Sequence, residues 1–137
     1  MTARDRLEVG ASAHRTLTVT SEIVQAFADV SGDHNPLHLD DAYAATTMFG
    51  RRIAHGLIAA SQISAILAND LPGPGTIYLS QALEFKAPVF IGDTIRATVT
   101  VSSVDDRDRV ALDTSVTNGA GKLVLSGSAL VLSPSEK

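Results

Sequence analysis

The run Leu71-Pro72-Gly73-Pro74-Gly75 divides the chain into two parts that cannot share one kind of secondary structure. Proline has a fixed φ and no backbone donor, and glycine loses the most freedom on ordering, so neither a helix nor a central strand continues through such a segment. Beyond it the apolar residues come in stretches of strand length and largely alternate, over 76–79, 82–86, 94–104, 110–117 and 123–132. Polar runs at 105–108 and 118–121 read as turns between them, and the second opens with Asn118-Gly119, a strong hairpin signal.

Ahead of the break the period is helical. In 21–31, Ile23, Val24, Phe27 and Val30 fall on one face. Thr20 or Ser21 can cap the start, and Gly32 stands where a left-handed residue ends a helix. The segment 33–41 contains Pro36 and predicts a structured loop, followed by a short helix over 41–46. Over 56–70 the residues Leu57, Ile58, Ile63, Ile66 and Leu67, with alanines between, spread around most of a helix, which predicts one buried on nearly all sides. A short β-branched strand at 16–20 precedes these elements. Four or five antiparallel strands with one buried helix give an α+β fold in which the sheet wraps the helix. Residues 1–137 are one domain's worth of chain. An open sheet edge can be extended by an identical copy, so a homodimer is expected.

Composition narrows the chemistry. There is no Cys, which removes thiol nucleophiles, thiolate metal sites and disulfide scaffolds. The net charge of −4 and the scattered basic residues, with Arg51-Arg52 as the one adjacent pair, argue against a nucleic-acid partner. Residues 1–10 lack the apolar core of a secretory signal. The most apolar stretch, 56–71, carries Gln62, Asn69 and Asp70 and falls short of the ~20 apolar residues of a spanning helix. A cytoplasmic protein without a membrane partner is expected. Reactivity must come from His, carboxylates, hydroxyls and the backbone.

The densest reactive cluster is Ser31-Gly32-Asp33-His34-Asn35-Pro36-Leu37-His38, with Asp33 and His38 five residues apart around a proline-stiffened turn. A carboxylate and an imidazole converging there can hold a water, one taking its proton while the other donates. Imidazole suits the task because its ordinary pKa of ~6.5 keeps both protonation states accessible. The same residues are equally good turn formers: Asp33 can cap the turn, Asn35 can make an Asx-turn before Pro36, and His38 can be a satisfied core histidine. A second candidate is Gly56, which follows His55 at the start of the long helix. Free N–H groups and the positive end of the helix dipole suit an oxygen that becomes negative, and the missing Cβ allows close approach. Gly56 could also merely relieve crowding there. Ser64 lies eight residues on, about two turns along the same side, either back-bonded to the residue 60 carbonyl or lining a pocket. A metal site is not expected: Pro36 breaks the helical geometry between His34 and His38, and no third ligand is placed by spacing. The run Asp105 to Arg109 reads as a solvated turn.

Taken together, Phe27 through His38 with Ala44, then Arg52-Ile53-Ala54-His55-Gly56, the helix to Leu71, Ile77-Tyr78-Leu79 and Phe85 through Asp93 resemble the MaoC-like (R)-specific enoyl-CoA hydratases, the hydratase 2 family. The resemblance runs in order over nearly the whole chain. It implies a hot-dog fold, assembled as a homodimer with the two sheets joined edge to edge. It also implies syn addition of water to a trans-2-enoyl-CoA thioester, giving the (R)-3-hydroxyacyl thioester. Carried over by position, Asp33 and His38 are the catalytic pair, the Gly56 N–H binds the thioester carbonyl, and Ser64 lines the site. His34 falls on the variable position of the motif. No metal or redox cofactor is implied, since the thioester itself activates the alkene. The nearest alternative is a 3-hydroxyacyl-[acyl-carrier-protein] dehydratase, and a more distant one is an acyl-CoA thioesterase.

Overall fold

A computed structural model describes residues 2–133. Its elements are α1 (Ala3–Arg6), β1 (Ser12–Thr18), α2 (Ser21–Ser31), α3 (Pro36–Leu39), α4 (Asp41–Ala45), α5 (Gly56–Asn69), β2 (Ile77–Phe85), β3 (Thr94–Val104), β4 (Arg109–Thr117) and β5 (Leu123–Leu132). The strands form a five-stranded antiparallel sheet in the order β1-β3-β4-β5-β2. Helix α5 packs against β1, β2, β3 and β4, so the sheet curls around it in the hot-dog arrangement. Ile63, Ile66 and Leu67 of the helix are fully buried in one cluster with Ile95, Val99 and Val101 of β3, Val110, Leu112 and Val116 of β4, and Leu125 of β5. Each such side chain contributes roughly 1.5–3 kcal/mol by leaving water. No helix among the described residues is long and apolar enough to cross a membrane.

Helix α2 follows the sequence closely. The Thr20 hydroxyl accepts the Ile23 N–H at 3.2 Å, and Gly32 ends the helix in the left-handed region at φ 81°. Four expectations shift. The strand at 16–20 is displaced to Ser12–Thr18, because the edge strand β1 needs only its inward residues, such as Leu17, to be apolar, and Ser12 through Arg15 hide that pattern. Val19 leaves the ladder and instead exchanges hydrogen bonds with Gly92 and Asp93, at 2.7 and 2.8 Å. The expected strands at 76–79 and 82–86 are one strand, β2, with an irregularity between Tyr78 and Ser80. The loop expected at 33–41 contains the short helix α3, because Pro36 occupies the first helical turn, where its missing N–H costs nothing. Helix α5 is less enclosed than its composition predicts: Leu57 is 55% exposed.

The N-terminal α1 has no apolar repeat to announce it. It is held by the Ala3 N–H donating to Asp108 Oδ1 at 2.7 Å and by an Arg6 to Ser133 hydrogen bond of 2.8 Å.

Gly127 in β5 faces Leu83 of β2, and a Cβ there would run into the Ala82 carbonyl oxygen and lie 2.8 Å from its carbon. Neither backbone can yield without breaking the ladder. Gly127→Ala is therefore expected to destabilise the protein by about 1–3 kcal/mol, as overpacking does; urea denaturation checks this, and an unchanged midpoint would refute the fit described.

Candidate active site

The site grows from the end of α2. Ser31 donates to the Phe27 carbonyl at 2.6 Å while its hydroxyl accepts the Asp33 N–H at 3.1 Å, so the turn past Gly32 is tied back to the helix. Asp33 Oδ1 accepts the Asn35 N–H at 3.2 Å, leaving the rest of an exposed carboxylate available. Asn35 caps α3 by accepting the Leu37 N–H at 3.0 Å. One turn of helix then carries His38 inward, where it is 8% exposed. Its Nδ1–H donates to the Ile53 carbonyl at 2.7 Å, which fixes the ring and leaves Nε2 as the exchangeable position. The turn-forming residues and the candidate reactive pair are thus the same residues.

The opposite wall comes from the segment entering α5. Ile53 bridges Phe90, and the Ala54 N–H donates to the Val89 carbonyl at 2.7 Å. This short antiparallel contact presents the Ile53 carbonyl to His38. Arg52, 15% exposed at its side chain, donates from Nε to the His38 carbonyl at 2.7 Å and from a terminal nitrogen to Ser21 at 3.2 Å, with Asp41 at 4.0 Å. His55 is 4% exposed; its Nε2–H donates to the Asp33 backbone carbonyl at 3.0 Å, and its ring stacks 3.9 Å from that of His38.

Gly56 opens α5. The first N–H groups of a helix have no partner within it, and His55 supplies no side-chain cap. The helix start therefore presents free donors and a positive dipole end. A Cβ at Gly56 would lie 2.7 and 2.9 Å from Phe85 ring carbons, so the glycine admits that ring as well as leaving the N–H approachable. His38, Gly56, Ile53, Phe85, Lys86 and Val124 are among the residues lining a mostly apolar cleft of about 510 Å³.

Asp33 and His38 are thus brought together, and His38 shares the cleft with Gly56, while Asp33 is not among the cleft's lining residues. Ser64 is not among the cleft's lining residues: it is half-buried on α5, with no hydrogen-bond partner for its hydroxyl among the described residues. His34 is exposed and pairs with Asp29 at 3.3 Å, outside the cleft. The residue that sequence reasoning underused is His55. Spacing provides no third ligand beside Asp33 and His38, but the fold does, since ligand atoms of Asp33, His38 and His55 lie within 4.8 Å of one another. Two of the four imidazole nitrogens in this group are already committed to carbonyl oxygens.

Arg52 ties α3 to the start of α2, and its removal leaves the His38 carbonyl without a charged donor. Arg52→Ala is expected to cost about 1.5–3 kcal/mol, the usual range for a hydrogen bond to a charged group, measured by chemical denaturation; a loss below about 0.5 kcal/mol, as at an ordinary surface site, would show that the clamp contributes little.

Comparison with known proteins agrees with the fold. Residues 6–120 match the MaoC like domain family. An (R)-specific enoyl-CoA hydratase of Rhodospirillum rubrum is 44% identical over 128 residues, covering 93% of this chain and 89% of that one. Another of the same name from Aeromonas caviae is 46% identical over 129 residues, covering 93% and 96%. The solved R-hydratase PhaJ1 from Pseudomonas aeruginosa superposes with a TM-score of 0.93 at 48% identity, covering 96% of this chain and 85% of that one. The chain belongs to the MaoC-like domain family.

Proposed function

We infer that this protein is an (R)-specific enoyl-CoA hydratase, a hydro-lyase that adds water to trans-2-enoyl-CoA to give (R)-3-hydroxyacyl-CoA. One observation carries the reading: an imidazole anchored through Nδ1 stands beside a carboxylate and shares a mostly apolar cleft with the uncapped start of α5 at Gly56. Hydration needs these groups. Water attacks C3 of the enoyl thioester while a base takes its proton, and the electron pair of the double bond moves onto the thioester oxygen as an enolate. The Gly56 N–H meets that oxygen, and one such donor is commonly worth about 3 kcal/mol of barrier. The enolate then collapses, and C2 takes a proton from an acid on the same face, which makes the addition syn.

Asp33 and His38 divide the base and acid roles. His38 can serve in either direction at Nε2, because its Nδ1–H stays on the Ile53 carbonyl and stabilises the ring when it is charged. The thioester supplies the activation, so the reaction asks for no metal or redox cofactor. The family resemblance puts Ser64 on the substrate side, although it is not among the residues lining the cleft.

The edge strand β2 exposes Ile77, Tyr78, Leu79 and Phe85, and an unpaired edge with apolar side chains supports pairing with an identical strand. The working form is then a homodimer with one continuous sheet, each chain a single domain, acting in the cytoplasm. Sedimentation at micromolar concentration is expected to give twice the chain mass; a monomer would refute the pairing.

Hydration of crotonyl-CoA, followed by loss of the enoyl thioester absorbance and chiral analysis of the product, tests the activity. Asp33→Asn and His38→Ala are each expected to lower the rate by at least ~100-fold with folding intact. Release of free CoA and crotonate, in place of a 3-hydroxyacyl thioester, would mark a thioesterase instead. A crotonyl carrier protein turned over faster than crotonyl-CoA would mark a carrier-protein dehydratase.

A further inference from the structure

Hydration gives tasks to Asp33, His38 and Gly56 and leaves His55 without one. Yet His55 is tied to both members of the reactive pair. Its Nε2–H donates to the Asp33 carbonyl at 3.0 Å, and its ring lies 3.9 Å from the His38 ring with 31° between the planes. Phe27 lies 4.8 Å away and confines the His55 ring further. The remaining nitrogen, Nδ1, is buried with no hydrogen-bond partner among the described residues. A buried acceptor without a partner carries a cost that an apolar ring of similar shape would avoid. What an apolar ring cannot supply is the Nε2–H.

That donor matters because of where Asp33 sits. It follows Gly32 on an exposed turn, and its other recorded hydrogen bonds reach only Ser31 and Asn35, two residues to either side. The bond from His55, 22 residues away in sequence, is what fixes this turn to the wall that holds His38. Resting on the hydration reading, we propose that His55 is a positioning residue: through Nε2–H it holds the Asp33 backbone against the wall that carries His38, so that carboxylate and imidazole keep the mutual register that proton transfer requires. His55 caps α5 with no side-chain hydrogen bond, so exchanging its side chain removes no capping bond.

The test is steady-state hydration of crotonyl-CoA by the wild type and by His55→Phe, His55→Asn and His55→Gln, with thermal melting of each. The Gln amide places an N–H where Nε2–H stood; Phe keeps the ring and loses the donor; the Asn amide overlies Nδ1 and does not reach the Asp33 carbonyl. Phe and Asn are expected to lower kcat by about 10–100-fold, as small misplacements of reacting groups do, with KM within about twofold. Gln is expected to keep kcat within about fivefold of wild type. If the Phe variant fails to fold, Asn against Gln decides. Wild-type kcat in a folded Phe or Asn variant overturns the role given to His55, and so does a folded Gln variant that loses as much as Asn. An inactive wild type overturns the hydration reading itself, a result distinct from an active enzyme indifferent to position 55.

Discussion

The short antiparallel contact between residues 53–54 and 89–90 is what the rest of the site depends on. The bridge of Ile53 to Phe90 and the bond from the Ala54 N–H to the Val89 carbonyl fix three successive groups at once. The Ile53 carbonyl receives the His38 Nδ1–H, His55 reaches the Asp33 carbonyl, and Gly56 begins the buried helix. Rigid placement of this kind lets a few weak groups act together, because orientation settled during folding need not be paid for during reaction. Arg52 extends the arrangement by binding the His38 carbonyl and Ser21.

Much of this was legible in the sequence where local rules and tertiary structure agree. Thr20, Gly32 and the spacing of Ile23, Val24 and Phe27 specify α2, since cap, stop and apolar face all act within the segment. The strands Thr94–Val104 and Leu123–Leu132 have the bounds that alternation predicts, because their inner faces are buried. Legibility fails where a residue answers to a distant partner. The Ser12–Arg15 part of β1 carries little hydrophobic signal at an edge, and α1 is ordered by Asp108, far along the chain. Leu57, expected on a helix buried on nearly all sides, remains on the surface of the chain.

The site shows the same division. Asp33 and His38 could be singled out because the turn that joins them is local. His55 was readable only as the residue ahead of Gly56, for its role lies in contacts to the Asp33 carbonyl and the His38 ring that no spacing rule encodes. On the proposed mechanism, a chain without cysteine and with few histidines suffices, since the substrate brings its own activation and the backbone would supply the oxyanion donor.

The contact between Gly56 and Phe85 has a consequence for how such a chain can drift. The ring stands where a side chain at position 56 would project. As long as an aromatic residue occupies position 85, glycine is the residue that fits at the helix start; a shorter side chain at 85 would free position 56 to change. The two positions are therefore expected to vary together across helix and sheet, each limiting what the other can become.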